Sequence, residues 1–154
     1  ILVFAYGNPS RGDDALGPAI YDLLYEKLPD EVELLTDFQL QIEHSIDLEE
    51  REAVLFIDAS MSATAPFHFY QLQAERDNSF TSHAMSPTSL LDAYQQVNQQ
   101  QAPPSFMLEI RAYEFELGKS MTATAEDNLK SALVFLDDLL ATEVDEWPTK
   151  QGIT

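Results

Sequence analysis

Two short runs, ILVFAY at residues 1–6 and AVLFI at residues 53–57, are apolar at every position. A strand that is apolar on both faces needs cover on both faces. That requirement disfavours a half-solvated antiparallel meander and points to helices above and below a parallel sheet. The intervening segments have the right period to supply them. In DALGPAIYDLLYEKL, the residues Leu16, Ile20, Leu23, Leu24 and Leu28 recur at helical spacing, with Pro18 in the first turn. EVELLTDF reads as a second strand and IEHSIDLEE as a short helix. FHFYQL reads as a strand at a sheet edge, and SPTSLLDAYQQVNQQQ as a helix capped by Ser86 with Pro87 at its first position. FMLEIRAYEFEL gives a late strand and TATAEDNLKSALVFLDDLLAT a long amphipathic last helix. The expected fold is a single three-layer α/β domain over residues 1–142, with a twisted, mostly parallel sheet of about five strands and helices on both faces. Residues 143–154 turn polar and are expected to form a frayed tail.

Charge narrows the partners. Twenty-seven acidic side chains against eight Lys and Arg give a formal charge of −19. Such a surface repels phosphate backbones and anionic lipid, so neither nucleic acid nor membrane is an expected partner, whereas metal ions and basic protein segments are attracted. Solubility alone would also account for the acidity. No cysteine occurs, which removes disulfides, thiolate metal sites and a cysteine nucleophile together. The opening apolar run is too short for a signal peptide or a spanning helix, and a cytoplasmic location is expected. The chain as read lacks an initiator Met and starts inside a strand, so residues before Ile1 are expected. Monomer is the default expectation, because no helix face is left without a partner layer.

The loop after the first strand, GNPSRGDDALG at residues 7–17, carries two adjacent carboxylates, Asp13 and Asp14. Neither glycine-rich phosphate motif is present, no lysine lies in the loop, and Arg11 alone would face two acids, so a phosphate cradle is disfavoured. One acid could cap a helix N-terminus, which leaves the other without a structural task. The second apolar run ends on Asp58. In parallel α/β folds, functional residues gather beyond the carboxyl ends of strands, which is where Asp14 and Asp58 both fall. The Asp-Thr/Ser-Gly loop of pepsin-like proteases, the serine-hydrolase elbow and H-E-x-x-H are all absent. Of three histidines, His44 reads as a surface side chain on a short helix and His68 as an ordinary strand residue, while His83 lies in a polar loop, SFTSHAMSPT. Two carboxylates and one imidazole would suit a divalent metal such as nickel or zinc, provided the three chain segments converge.

GNPSRGDDALG resembles the G-N-x-x-x-x-D-[DE]-x-x-G signature of the nickel–iron hydrogenase maturation endopeptidases. Those enzymes remove a C-terminal extension from the hydrogenase large-subunit precursor after nickel insertion. The order of parts is similar along most of the chain: opening strand, signature loop, VLFIDAS, a histidine loop before a helix, and RAYEFELGKSMTATAEDNL near the end. The resemblance implies a peptidase in which Asp14, Asp58 and His83 contact nickel carried by the precursor. Gly7, Asn8 and Gly17 would shape the loop, and Asp13 would orient it or cap the helix. It implies no organic cofactor. Asp14 is the shorter of the two acids that the family accepts at its position. Two segments depart from the pattern: Ala15 replaces a common glycine, and TDFQLQIE replaces a D-G-G segment while keeping Asp37. QLQIE is similar to the branch serving soluble, NAD-coupled or bidirectional hydrogenases. Two rivals follow from the same residues: a non-catalytic nickel-binding maturation chaperone, and a nucleotide-binding α/β module.

Overall fold

The computed structural model describes residues 1–75 and 85–150. Its elements are β1 (Leu2–Tyr6), α1 (Leu16–Leu24), β2 (Glu33–Asp37), β3 (Val54–Ser60), β4 (Phe67–Leu72), α2 (Pro87–Asn98), β5 (Ser105–Arg111) and α3 (Ala123–Leu140). Three 3₁₀ segments, Gly12–Ala15, Ile42–Leu48 and Val144–Lys150, complete the path. The five strands form one sheet in the order β2-β1-β3-β5-β4, and only β4 runs antiparallel, at an edge. The expected α/β class, strand number and edge position of FHFYQL are all present.

The sheet is covered on both faces, as its apolar strands require. Val3, Ala5, Leu55 and Ile57 pack with Leu16 and Ile20 of α1 and Leu136 of α3. On the other face, Leu2, Phe4, Val54 and Phe56 pack with Leu48 and with Leu90, Leu91 and Tyr94 of α2. Both later helices carry the caps their sequences provide. The Ser86 hydroxyl accepts from Ser89 N–H at 3.2 Å, and the Thr122 hydroxyl from Ala125 N–H at 3.2 Å.

Two boundaries differ from the sequence reading. The last strand ends at Arg111 rather than continuing through Leu117, because the Tyr113 and Glu114 amides are bonded to the Asp13 carboxylate instead of a neighbouring strand. The expected frayed tail after Glu143 is corrected as well. Val144–Lys150 folds back, and Trp147 is completely buried with its ring edge-on to Phe106 at 5.3 Å. Its indole N–H donates to Thr142 O at 3.1 Å, so a large aromatic side chain in a polar segment becomes part of the core. Residues 151–154 of the expected tail lie outside the described residues.

Candidate functional site

The strand order places a switch point beside β1. The chain leaves β1 toward β2 on one side and returns to β3 on the other, which opens a crevice beyond the carboxyl ends of β1 and β3. The loop after β1 borders that crevice, and two glycines let it do so. A Cβ on Gly17 would stand 2.0 Å from the Tyr6 carbonyl oxygen, so α1 can start this close to β1 only without a side chain there. Gly7 sits at φ +149°, and a Cβ on it would be 2.2 Å from the Asp14 carbonyl oxygen. The loop therefore closes tightly over the strand end.

The paired aspartates divide within this loop. Asp13 is fully buried. Its carboxylate accepts from Tyr113 N–H (2.8 Å), Glu114 N–H (3.2 Å), Thr122 N–H (2.7 Å) and the Thr122 hydroxyl (2.9 Å). It therefore ties the loop to the β5–α3 connection. Asp14 accepts one bond, from Asn8 N–H at 2.8 Å, and is part-exposed. Burial pushes its carboxyl pKa up, against the opposing influence of the Asn8 amide and the Arg11 charge. Asn8 also braces the loop: its side-chain oxygen accepts from Ser10 N–H at 2.9 Å.

Asp58 lies on β3, part-exposed at the same rim, and accepts from Ala59 N–H at 2.8 Å. Its pKa is pushed up to about 8, chiefly by burial, with the negative charges of Asp14 and Glu109 adding to the effect. The Asp14 charge thus reaches Asp58, which brings the two acids to one site. A carboxyl in this state is mostly protonated at neutral pH and can donate a hydrogen bond, whereas one made to bind a cation must release its proton.

A polar row across the sheet extends the site beyond the residues singled out in the sequence. Tyr6 pairs with Asp37, Asp58 with Glu109, and Glu109 with His68, so these side chains share one face at the crevice end. The Tyr70 hydroxyl donates to Glu109, and burial raises the Tyr70 pKa with Glu109 as the further cause. Tyr6 is also held neutral, by burial first and then by the surrounding acids. Glu109 was legible: SFMLEIR and VLFIDAS both carry an acid at their fifth position and pair in register.

The histidines fall differently from one another. His44 is not a free surface side chain. Its side chain is 14% exposed, its Nε2 lies 3.2 Å from Asp37 Oδ2, and its ring meets Phe4 edge-on at 4.7 Å. Its Nδ1 accepts from Gln41 N–H at 2.8 Å, which closes the turn and accounts for its burial. His68 stays in its strand, tilted against Tyr70 at 4.8 Å. His83, the third donor in the sequence reading, lies outside the described residues. Among the described residues no three His, Asp or Glu side chains group closely enough to hold a metal ion. No described helix is long and apolar enough to cross a membrane.

A three-layer domain with this strand order is also the fold of solved hydrogenase maturation peptidases. The hydrogenase maturating endopeptidase HybD from E. coli superposes with a TM-score of 0.72 at 23% identity, covering 91% of each chain. The [NiFe] hydrogenase maturation protease HycI from Thermococcus kodakarensis gives 0.70 at 16% identity over 92% of each. The hydrogenase 2 maturation peptidase from a Thaumarchaeota archaeon gives 0.65 at 21%, covering 92% of this chain and 98% of that one. No family model and no curated protein sequence matches the chain. At these identities the likeness establishes the fold.

Proposed function

We propose that this chain is an endopeptidase that removes the C-terminal extension of a nickel-loaded [NiFe]-hydrogenase large-subunit precursor. The observation that carries the reading is the division of labour in the signature loop. Asp13 is consumed by four structural hydrogen bonds, while Asp14 is left with one bond and a place beside Asp58 at the crevice. The shared fold of named maturation peptidases supports it.

In this reading, nickel belongs to the substrate. Asp14, Asp58 and His83 serve as temporary ligands to the precursor's ion, so a precursor without metal is passed over. Carboxylate and imidazole donors suit nickel, and an incomplete protein ligand set leaves positions for the precursor's own groups and water. Hydrolysis adds water across one peptide bond: oxygen goes to the carbonyl carbon, the C–N bond breaks, and the departing nitrogen takes a proton. Binding the ion makes Asp58 give up the proton that burial holds on it, and in this reading that proton goes to the departing nitrogen while Asp14 accepts one from water. Activity is of the aspartic or metal-assisted type, in a cytoplasmic monomer.

Mass spectrometry of nickel-loaded precursor incubated with the protein tests the reading. Loss of a C-terminal peptide is expected with the wild-type chain and with nickel-loaded precursor only. Asp14→Asn and His83→Ala should each reduce processing by at least 100-fold with the fold retained. Unchanged precursor mass under saturating protein would overturn the peptidase reading, and retained precursor binding in that case would favour a nickel-binding chaperone.

A further inference from the structure

Among the described residues β2 is an outer strand of the sheet, paired along its inner side with β1. Glu33 N–H donates to Ile1 O at 2.8 Å, and Asp37 O accepts from Gly7 N–H at 3.0 Å. Backbone groups alternate sides along a strand, so Glu33, Leu35 and Asp37 face β1, while Leu34 and Thr36 direct both N–H and C=O away from it. Thr36 is exposed, and no described strand lies on its outer side.

Two clefts meet at this edge and share Asp37 and Phe38. The first, of about 410 Å³, lies toward α1 and is walled by Pro18, Tyr21, Asp22 and Thr36. The second, of about 540 Å³, holds Asn8, Arg11, Asp14 and Gln41. Thr36 lines the first cleft and Asp37 lines both, so a strand laid beside β2 would run past both openings. Phe38 stands 64% exposed between them. Asp14, Asp22 and Asp37 supply three negative charges here. Arg11 is the one cation lining either cleft among the described residues, and its Nε is engaged with Phe115 O at 3.2 Å.

We propose that the outer edge of β2 is the docking rail for the precursor's C-terminal segment, which adds as a sixth strand at Thr36 and delivers its scissile bond toward Asp14. Successive side chains of that segment enter the two clefts. The first cleft takes a Lys or Arg, whose alkyl stem lies along Tyr21 and Pro18 and whose charge meets Asp22. Main-chain bonds to Thr36 supply affinity that is indifferent to sequence, and the acidic cleft supplies the preference for a basic residue. The inference rests on the endopeptidase reading for the identity of its occupant.

The test compares nickel-loaded large-subunit precursor with the same precursor lacking its C-terminal extension. Binding is followed by biolayer interferometry and cleavage by mass spectrometry. Thr36→Pro removes the outward N–H without breaking a bond to β1, and a proline is tolerated on that side of an edge strand. Thr36→Val keeps the N–H. The expected result is that T36P weakens binding of the extended precursor at least tenfold and T36V less than twofold. Neither should change binding of the shortened form. Asp22→Lys should weaken binding of the extended precursor at least fivefold. Circular dichroism and melting temperature verify that T36P is folded, and D22K decides the matter if it is not. Binding of the extended precursor within twofold of wild type by T36P, or by D22K where T36P fails to fold, would overturn the rail. A wild-type chain that binds the extension through Thr36 but cuts nothing would retain the rail and remove the peptidase reading. Normal cleavage with no effect of T36P does the reverse.

Discussion

Asp13 and Asp14 are chemically identical neighbours, and the fold gives them opposite environments. Replacing Asp13 with Ala leaves three amides and a hydroxyl without their acceptor in a buried place. A loss of about 4 kcal/mol or more is expected in urea unfolding, since each of the four orphans costs about 1–3 kcal/mol when water cannot replace the bond. Asp14→Ala gives up one bond from Asn8 and relieves a partly desolvated charge, so its stability should change by less than about 1 kcal/mol. A large loss for Asp14 and a small one for Asp13 would reverse the assignment of roles. Asp58 adds a pH signature. Its pKa rises from an ordinary 3.8 to about 8 in the folded chain, so the native state holds that proton more tightly than the unfolded state. Its contribution is therefore greatest below pH 4 and is lost as pH rises toward 8. Asp58→Asn should raise the melting temperature at pH 7.5 by several degrees and flatten its fall between pH 4 and 8, while ending processing. Scanning fluorimetry across that range decides it, and an unchanged slope would exclude a raised Asp58. Asp14 and Asp58 could be singled out in the sequence because each follows an apolar run, ILVFAY or AVLFI, toward its carboxyl end. The Asp37–His44 pair could not, since it joins residues across a turn whose shape depends on His44 itself.

At the scale of elements, period and capping predicted well wherever one face of a segment was apolar. β1 is a wholly apolar run, β3 opens on one over Val54–Ile57, and α2 begins at its Ser-Pro pair. Hydropathy failed where one residue outweighed its surroundings. Val144–Lys150 contains Asp, Glu, Thr and Lys, yet the ring of Trp147 fixes it against Phe106. Burying such a ring contributes more than exposing its polar neighbours costs, since they keep their water. Trp147→Ala should therefore destabilise the protein by about 3–5 kcal/mol, the usual range for a buried aromatic truncated to Ala. Chemical denaturation measures it, and a change below 1 kcal/mol would restore the frayed tail. The β5–α3 connection failed for a related reason. RAYEFEL looks like continuing strand, but a carboxylate 100 residues away in sequence, that of Asp13, takes the Tyr113 amide.

At the scale of the whole molecule, the charge of −19 acts on stability and on the site through different physics. Surface acids repel one another through water, and salt screens them within a Debye length of about 10 Å at 0.1 M. Raising sodium chloride from 10 to 300 mM at pH 7.5 should therefore stabilise the fold, by roughly 1–2 kcal/mol and a few degrees of melting temperature. The Asp58 penalty is mainly desolvation, which mobile ions outside the crevice relieve little. The advantage of Asp58→Asn over wild type at pH 7.5 should then persist at both salt concentrations. A double comparison of two proteins at two salt concentrations separates the terms. If the advantage collapses at 300 mM, Asp58 is perturbed by the general acidic field rather than by its burial at the rim. If it survives while both proteins gain equally from salt, the surface charge and the recessed carboxyl are independent. An acidic exterior would then attract a basic precursor segment without altering the proton held at Asp58.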